Sequence, residues 1–127
     1  MQYLGLDFGL KRIGLAKSFG QFASPWKTIE GKGVLDLVQK ICQVVSDSDF
    51  DKLVVGLPEG PMGRTVNQFV NLLKKNGLDV VVTDETLSTQ KAQRLLIEMG
   101  LPKKKRHYVD AHAAAEILQS YLDERAG

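Results

Sequence analysis

Hydrophobic and polar positions change period several times along the chain. Residues 2–8, QYLGLDF, are apolar nearly throughout and end on an acid, the pattern of a buried strand. Residues 12–18, RIGLAKS, read as a second strand, and only Gly9, Leu10 and Lys11 separate the two, which predicts a hairpin. Residues 22–30, FASPWKTIE, read as a third and weaker strand, with Pro25 favouring an edge position or a bulge. After Gly31 and Gly33 the period lengthens. Val34, Leu37, Val38, Ile41 and Val45 recur at helical spacing and predict an amphipathic helix over 34–46. KLVVGL (52–57) is a short strand of the kind buried on both faces, and GLPEGPMG (56–63) is a loop. Val66, Phe69, Val70 and Leu73 mark a second helix, stopped by Asn76 and Gly77. LDVVVT (78–83) is another buried strand, ending at Asp84 and Glu85. Ala92, Leu95, Leu96 and Met99 mark a third helix, stopped by Gly100 and Pro102; Ala111, Ala114, Ala115, Leu118 and Leu122 mark a last one.

The order is thus β-β-β-α-β-α-β-α-α. Strands joined by short turns pair antiparallel, and strands alternating with helices form parallel crossovers. The expected fold is α/β: a five-stranded mixed sheet, three strands antiparallel and the later ones parallel, flanked by helices. No linker, repeat or low-complexity stretch interrupts it, so residues 1–127 read as a single domain.

Composition narrows the classes. The chain has 127 residues, 43% hydrophobic and 25% charged, the balance of an ordinary globular domain. That excludes a disordered chain, a collagen-like chain and a disulfide scaffold. No apolar run approaches the roughly 20 residues that span a bilayer. The start, MQYLGLDFG, carries Asp7 in its apolar stretch and has no basic leader, unlike a signal peptide. The lone Cys42 sits among Ile41, Val44 and Val45, reads as a small buried hydrophobe, and fits a reducing compartment, so the expected location is cytoplasmic. Seventeen basic against 15 acidic residues leave a net charge of +2, a weak pointer to an anionic partner. The distribution says more: Lys103, Lys104, Lys105 and Arg106 form the only block of four like charges.

The acids fall where chemistry is expected. Asp7 lies inside an apolar strand, where a carboxylate costs several kcal/mol unless it is paired or binds a metal. Asp84 and Glu85 follow the last strand, at the edge where α/β sheets gather their sites. Asp110 reads as the opening residue of the last helix. One reading is a metal centre: carboxylates from two strand ends and a helix start converging on Mg²⁺ or Mn²⁺, hard cations that take oxygen ligands. Two such ions, roughly 4 Å apart, can stabilise both the attacking and the leaving oxygen of phosphodiester cleavage. The plainer readings are Asp110 as a helix N-cap, Asp84 in an Asx-turn and Glu85 solvated. Asp7 has few plain explanations.

The basic block beside Asp110 either holds nucleic-acid phosphates or is a solvated loop between helices. Lys11 and Arg12 at the hairpin tip, next to Asp7, extend the same surface, and Arg64 at a helix start contacts phosphate or solvent. No P-loop occurs, and His107 and His112 with one cysteine cannot build a structural zinc site. His112 reads as a helix-surface residue, Ser88 and Thr89 as caps of the third helix, and Trp26 as packing rather than a base-stacking platform.

Taken together, LGLDFGLKRIGLA (4–16), VVGLP (54–58), DETLST (84–89) and VDAHAAAEIL (109–118) resemble the YqgF/RuvX family of bacterial proteins with an RNase H-like fold. The resemblance covers nearly the whole chain, with motifs in order and spacing; no one motif is decisive, but four together are specific. It implies Asp7, Glu85 and Asp110 as a metal-binding triad, with Asp84 as a further acid beside Glu85. Two departures stand out. Thr86 replaces the Arg the family commonly has after the acid pair, which removes one phosphate contact. The loop after Pro58 is shortened, so that Glu59-Gly60-Pro61 follows directly and places Glu59 near the metal edge as a candidate extra acid. The resemblance implies a metal-dependent nuclease acting on precursor 16S rRNA at its 5′ end, with pre-ribosomal particles as partners. It implies, second, a resolvase of four-way DNA junctions, which requires a symmetric dimer; monomer and homodimer both stay open.

Two other classes compete. Asp7-Phe8-Gly9 also reads as the D-x-G of sugar-kinase and actin-type phosphate loops, but those enzymes need two copies of the fold, and the chain holds one. A nucleic-acid-binding protein with a degenerate site is disfavoured by the presence of all three acids.

Overall fold

The computed structural model describes residues 1–9, 11–57, 62–84 and 103–126, with side chains except at positions 62, 84, 103–109 and 126. Its strands are β1 (Tyr3–Phe8), β2 (Arg12–Phe19), β3 (Phe22–Glu30), β4 (Lys52–Leu57) and β5 (Val80–Asp84). Its helices are α1 (Val34–Ser48), α2 (Met62–Lys75) and α3 (Lys103–Ala126). One five-stranded sheet runs in the order β3-β2-β1-β4-β5. The first three strands pair antiparallel, and β4 and β5 join β1 in parallel. The mixed sheet expected from the hydrophobic pattern is therefore the one observed.

Pro25 satisfies both expectations for it. β3 is the sheet edge, and its register with β2 skips from Leu15↔Lys27 to Ala16↔Pro25, leaving Trp26 in the bulge. Proline has no N–H to give a ladder, so an edge bulge is where it does least harm. The sheet buries two faces. On one, Leu4, Leu6, Phe8, Ile13 and Leu15 pack against Leu37 and Ile41 of α1 and against Val66, Phe69 and Leu73 of α2. On the other, Tyr3, Ala16 and Val54 meet Ala114, Ile117, Leu118 and Leu122 of α3. Burying each such large side chain stabilises the fold by about 1.5–3 kcal/mol.

The helix ends follow local chemistry. α2 stops where Gly77 takes φ 86°, with the Gly77 N–H donating to Lys74 O and the Leu78 N–H to Leu73 O, a Schellman closure. Gly33 starts α1 without a side-chain cap, and Asp36 in the first turn accepts the Lys32 N–H at 2.8 Å instead. That hydrogen bond, helped by the nearby Lys40 ammonium, holds the Asp36 carboxyl below its ordinary pKa. Cys42 is half-buried rather than fully buried, on the groove between α1 and α2, and desolvation pushes its thiol pKa up. It stays a protonated thiol, which suits packing and not reactivity.

Several boundaries move. α1 runs two residues past its expected end, to Ser48, and β5 is displaced to Val80–Asp84. The largest change is in α3, which begins at Lys103 and not at Asp110. The apolar period starts only at Ala111, but lysine and arginine are good helix formers, so the basic block extends the helix backwards. The helix expected over Ala92–Met99 lies outside the described residues, as do Ser88 and Thr89. Among the described residues, no helix is long and apolar enough to cross a membrane.

Gln119 of α3 fastens the β2–β3 turn by accepting the Ala23 N–H at its Oε1 (2.9 Å) and donating from Nε2 to Gln21 O (2.9 Å). At about 1 kcal/mol for each hydrogen bond, Gln119→Ala should lower stability by about 1–2 kcal/mol. It should also speed amide exchange at Ala23. Denaturant unfolding and hydrogen-exchange NMR check both.

Candidate functional site

Because β1, β4 and β5 are parallel, their C-terminal ends share one edge of the sheet. That edge carries Asp7 of β1, Asp84 at the end of β5 and, from the antiparallel neighbour, Arg12 at the start of β2. Side chains alternate along β1. Leu4, Leu6 and Phe8 serve the α1–α2 core, which leaves Tyr3, Gly5 and Asp7 on the α3 face.

Asp7 pairs across the ladder with Gly14. Gly14 is where α3 touches the sheet most closely: a Cβ there would collide with the carbonyl oxygen of Asp110 and stand 2.9 Å from the Ala111 nitrogen. Two acids separated by about a hundred residues therefore occupy neighbouring positions on one face, with a glycine between them. Further along α3, a Cβ at Gly5 would lie 2.8 Å from Leu118 Cβ, and one at Gly56 would lie 2.6 Å from Ile117 Cδ1. Missing side chains on three strands thus let α3 lie flush on the sheet.

Asp110 stands inside α3, about two turns from its start, so the N-cap reading of this residue is wrong. Its Oδ2 lies 2.5 Å from Arg12 Nε, with the two side chains 21% and 30% exposed. Sequence reading placed Arg12 on the phosphate-binding surface and missed this ion pair. It also missed Gly14, for which the available signal was a glycine inside a strand of otherwise packed residues.

The other expected residues divide. Lys11 is exposed in the hairpin, and its carbonyl accepts the Gly31 N–H at 3.0 Å. Arg64 is exposed in the first turn of α2, which leaves the acid edge after β4. Lys103, Lys104, Lys105 and Arg106 form the opening turn of α3 on the acid-edge side of Asp110, which overturns the loop reading of this block. Asp84 closes β5 opposite Leu57. Glu85, Thr86 and the loop with Glu59 lie outside the described residues. Trp26 packs, as expected: its ring is 5.8 Å from Phe50, with the Lys17 and Lys27 ammonium groups 4.3 and 4.4 Å from its centroid. His112 is exposed on α3.

The donors fit a hard divalent cation, since Asp7 and Asp110 offer only carboxylate oxygens. Among the described residues, no group of three or more His, Cys, Asp or Glu side chains converges, so the described part of the site supplies two acids.

The comparisons with known proteins agree in direction. The family described as "RuvX: Holliday junction resolvase" matches residues 1–124. A protein of Bacillus thuringiensis (strain Al Hakam), named a pre-16S rRNA nuclease, is 43% identical over 138 aligned positions, covering 98% of this chain and all of that protein. A Bacillus anthracis (strain CDC 684 / NRRL 3495) protein of the same name aligns equally well. Both alignments are longer than this chain, so the relatives carry positions it lacks. Among solved structures, the fowlpox virus resolvase bound to Holliday junction DNA superposes with TM-score 0.67 at 11% identity, covering all of both chains. T. thermophilus RuvC with its junction substrate gives 0.62 at 15% identity, over all of this chain and 96% of that one. These likenesses establish the RNase H-like fold of the resolvases.

Gly14→Ala should lower stability by roughly 1–3 kcal/mol, because its new methyl meets helix backbone that cannot rotate away. Gly56→Ala should cost less, since it meets the far end of the Ile117 side chain. Thermal unfolding of the two variants gives the ranking; an equal or reversed ranking removes the close-approach account.

Proposed function

The chain belongs to the RuvX family, and from that premise we propose that its acid edge is the centre of a metal-dependent nuclease that trims precursor 16S rRNA. The nuclease class comes with the family and with the relatives' names. The observation that supports the site is backbone proximity: Asp7 pairs with Gly14 in the ladder, and the Asp110 backbone lies against Gly14, near the edge where the parallel strands end. Both acids are half-buried, where a carboxylate is stabilised by a counter-charge.

In this reading Asp7, Asp110 and Glu85 hold Mg²⁺ or Mn²⁺, with Asp84 beside them. Held there, such a cation would lower the pKa of a bound water and would offset charge on the leaving oxygen. The chain's own residues do the rest. Asp7 stands on β1 and Asp110 on α3, regular elements that suit a pre-organised site. Lys11, Arg12 and Arg64 border the edge and serve the phosphate backbone. Lys103–Arg106 sit at the positive end of the α3 dipole, with no acid in that first turn. Four cations there oppose helix stability. A polyanionic partner accounts for the arrangement, and the free N–H groups of the same turn reinforce its attraction. The cytoplasm, where ribosomal RNA matures, is the fitting location.

The family's description favours a second reading, cleavage of four-way DNA junctions. Purified protein offered precursor 16S rRNA and a four-way junction in parallel, with Mg²⁺ or Mn²⁺, should cleave the RNA. Asp7→Asn should reduce that cleavage by about a hundredfold or more, since even outer partners of a metal contribute 10–100-fold. Junction cleavage alone selects the resolvase; binding with no metal-dependent cleavage selects a non-catalytic role. Undiminished cleavage by Asp7→Asn would remove the mechanism.

A further inference from the structure

Arg12 already holds an oxygen of Asp110 that a divalent cation bound by that acid would need. Arg12 Nε lies 2.5 Å from Asp110 Oδ2, and with side chains only 30% and 21% exposed the pair is less screened than a surface one. The contact is built into the fold. Arg12 opens β2 two positions before Gly14, and Gly14 is the point where the Asp110 backbone rests on the sheet. The same short segment therefore fixes the helix and delivers the guanidinium to its acid. A planar guanidinium fork suits a carboxylate or a phosphate equally well, so an incoming phosphodiester is a chemically matched replacement for Asp110. Beyond Arg12 the chain turns outward through Lys11, which is exposed, so the fork is next to solvent from which a phosphate backbone approaches.

Resting on the metal-nuclease reading above, we propose that Arg12 is a positioning residue that holds Asp110 until a substrate phosphate draws its guanidinium away, so that nucleic acid and cation bind cooperatively. By linkage the effect is reciprocal: the factor by which RNA tightens the cation is the factor by which the cation tightens RNA. The chain would thus load its metal chiefly when substrate is present.

The test is an equilibrium titration of Mn²⁺, with free ion counted by electron paramagnetic resonance, so that the readout is independent of cleavage. Arg12→Met keeps the apolar stem and removes the charge. It should bind Mn²⁺ about tenfold more tightly than the native chain, within the usual range of coupling between sites. Arg12→Lys, which keeps a charge but loses the fork, should fall between them and covers the case in which Arg12→Met does not fold. A short single-stranded RNA oligonucleotide should tighten Mn²⁺ for the native chain and leave Arg12→Met unchanged. If removing the guanidinium weakens Mn²⁺ binding or leaves it as it was, Arg12 merely supports the structure and the proposal is overturned. If RNA tightens Mn²⁺ equally in both chains, the coupling does not run through Arg12. Asp110→Asn separates the two levels: if it binds Mn²⁺ as well as the native chain, the metal centre itself is wrong, whatever Arg12 does.

Discussion

The close approach of α3 to the sheet is the constraint on which the rest depends. A helix normally stands off a sheet by the depth of two side-chain layers. Here Gly5, Gly14 and Gly56 remove one layer along the helix track, and Ala111, Ala114 and Ala115 thin the other. The Asp110 backbone comes to rest on β2 as a result. Had Gly14 carried even a methyl, the helix would ride higher or slide, and Asp110 would shift relative to Arg12.

This arrangement separates stability from chemistry across the sheet. The face toward α1 and α2 is a conventional core of leucines, valines and phenylalanines, with Phe8 and Phe69 packed ring to ring. The face toward α3 is smaller in its side chains and carries the acids at one end. Its loss of packing volume is offset by backbone proximity and by fastenings such as Gln119 at the far end of the helix. The basic residues differ in their commitments. Arg12 is committed to Asp110, Lys11 and Arg64 are exposed, and four basic residues occupy the helix turn least suited to them. Such a departure from local preference is expected where function outweighs stability.

Much of the fold was legible because its signals are local. The periods of β1, β4 and α1, the hairpin spacing at Gly9–Lys11 and the Asn76-Gly77 stop each depend on neighbouring residues alone. Pro25 announced both the edge and the bulge through its missing N–H. The start of α3 was misplaced because hydrophobic period marks where a helix is buried, not where it begins. Lys103–Arg106 carry no apolar signal, and their intrinsic helix propensity prevails there over their unfavourable place at the positive end of the dipole.

The sequence by itself determined which residues carry charge, which segments are strands, and that Asp7 sits where an acid is costly. Four motifs in order sufficed to indicate the family. Only the tertiary structure decided that Gly14 lies beside both Asp7 in the ladder and the Asp110 backbone, that Asp110 is no cap, and that Arg12 faces an acid as well as solvent. The physical reason is distance along the chain. A contact between residue 14 and residue 110 leaves no periodic trace in either segment; it arises when β2 and α3 are pressed together and a glycine leaves room for nothing else.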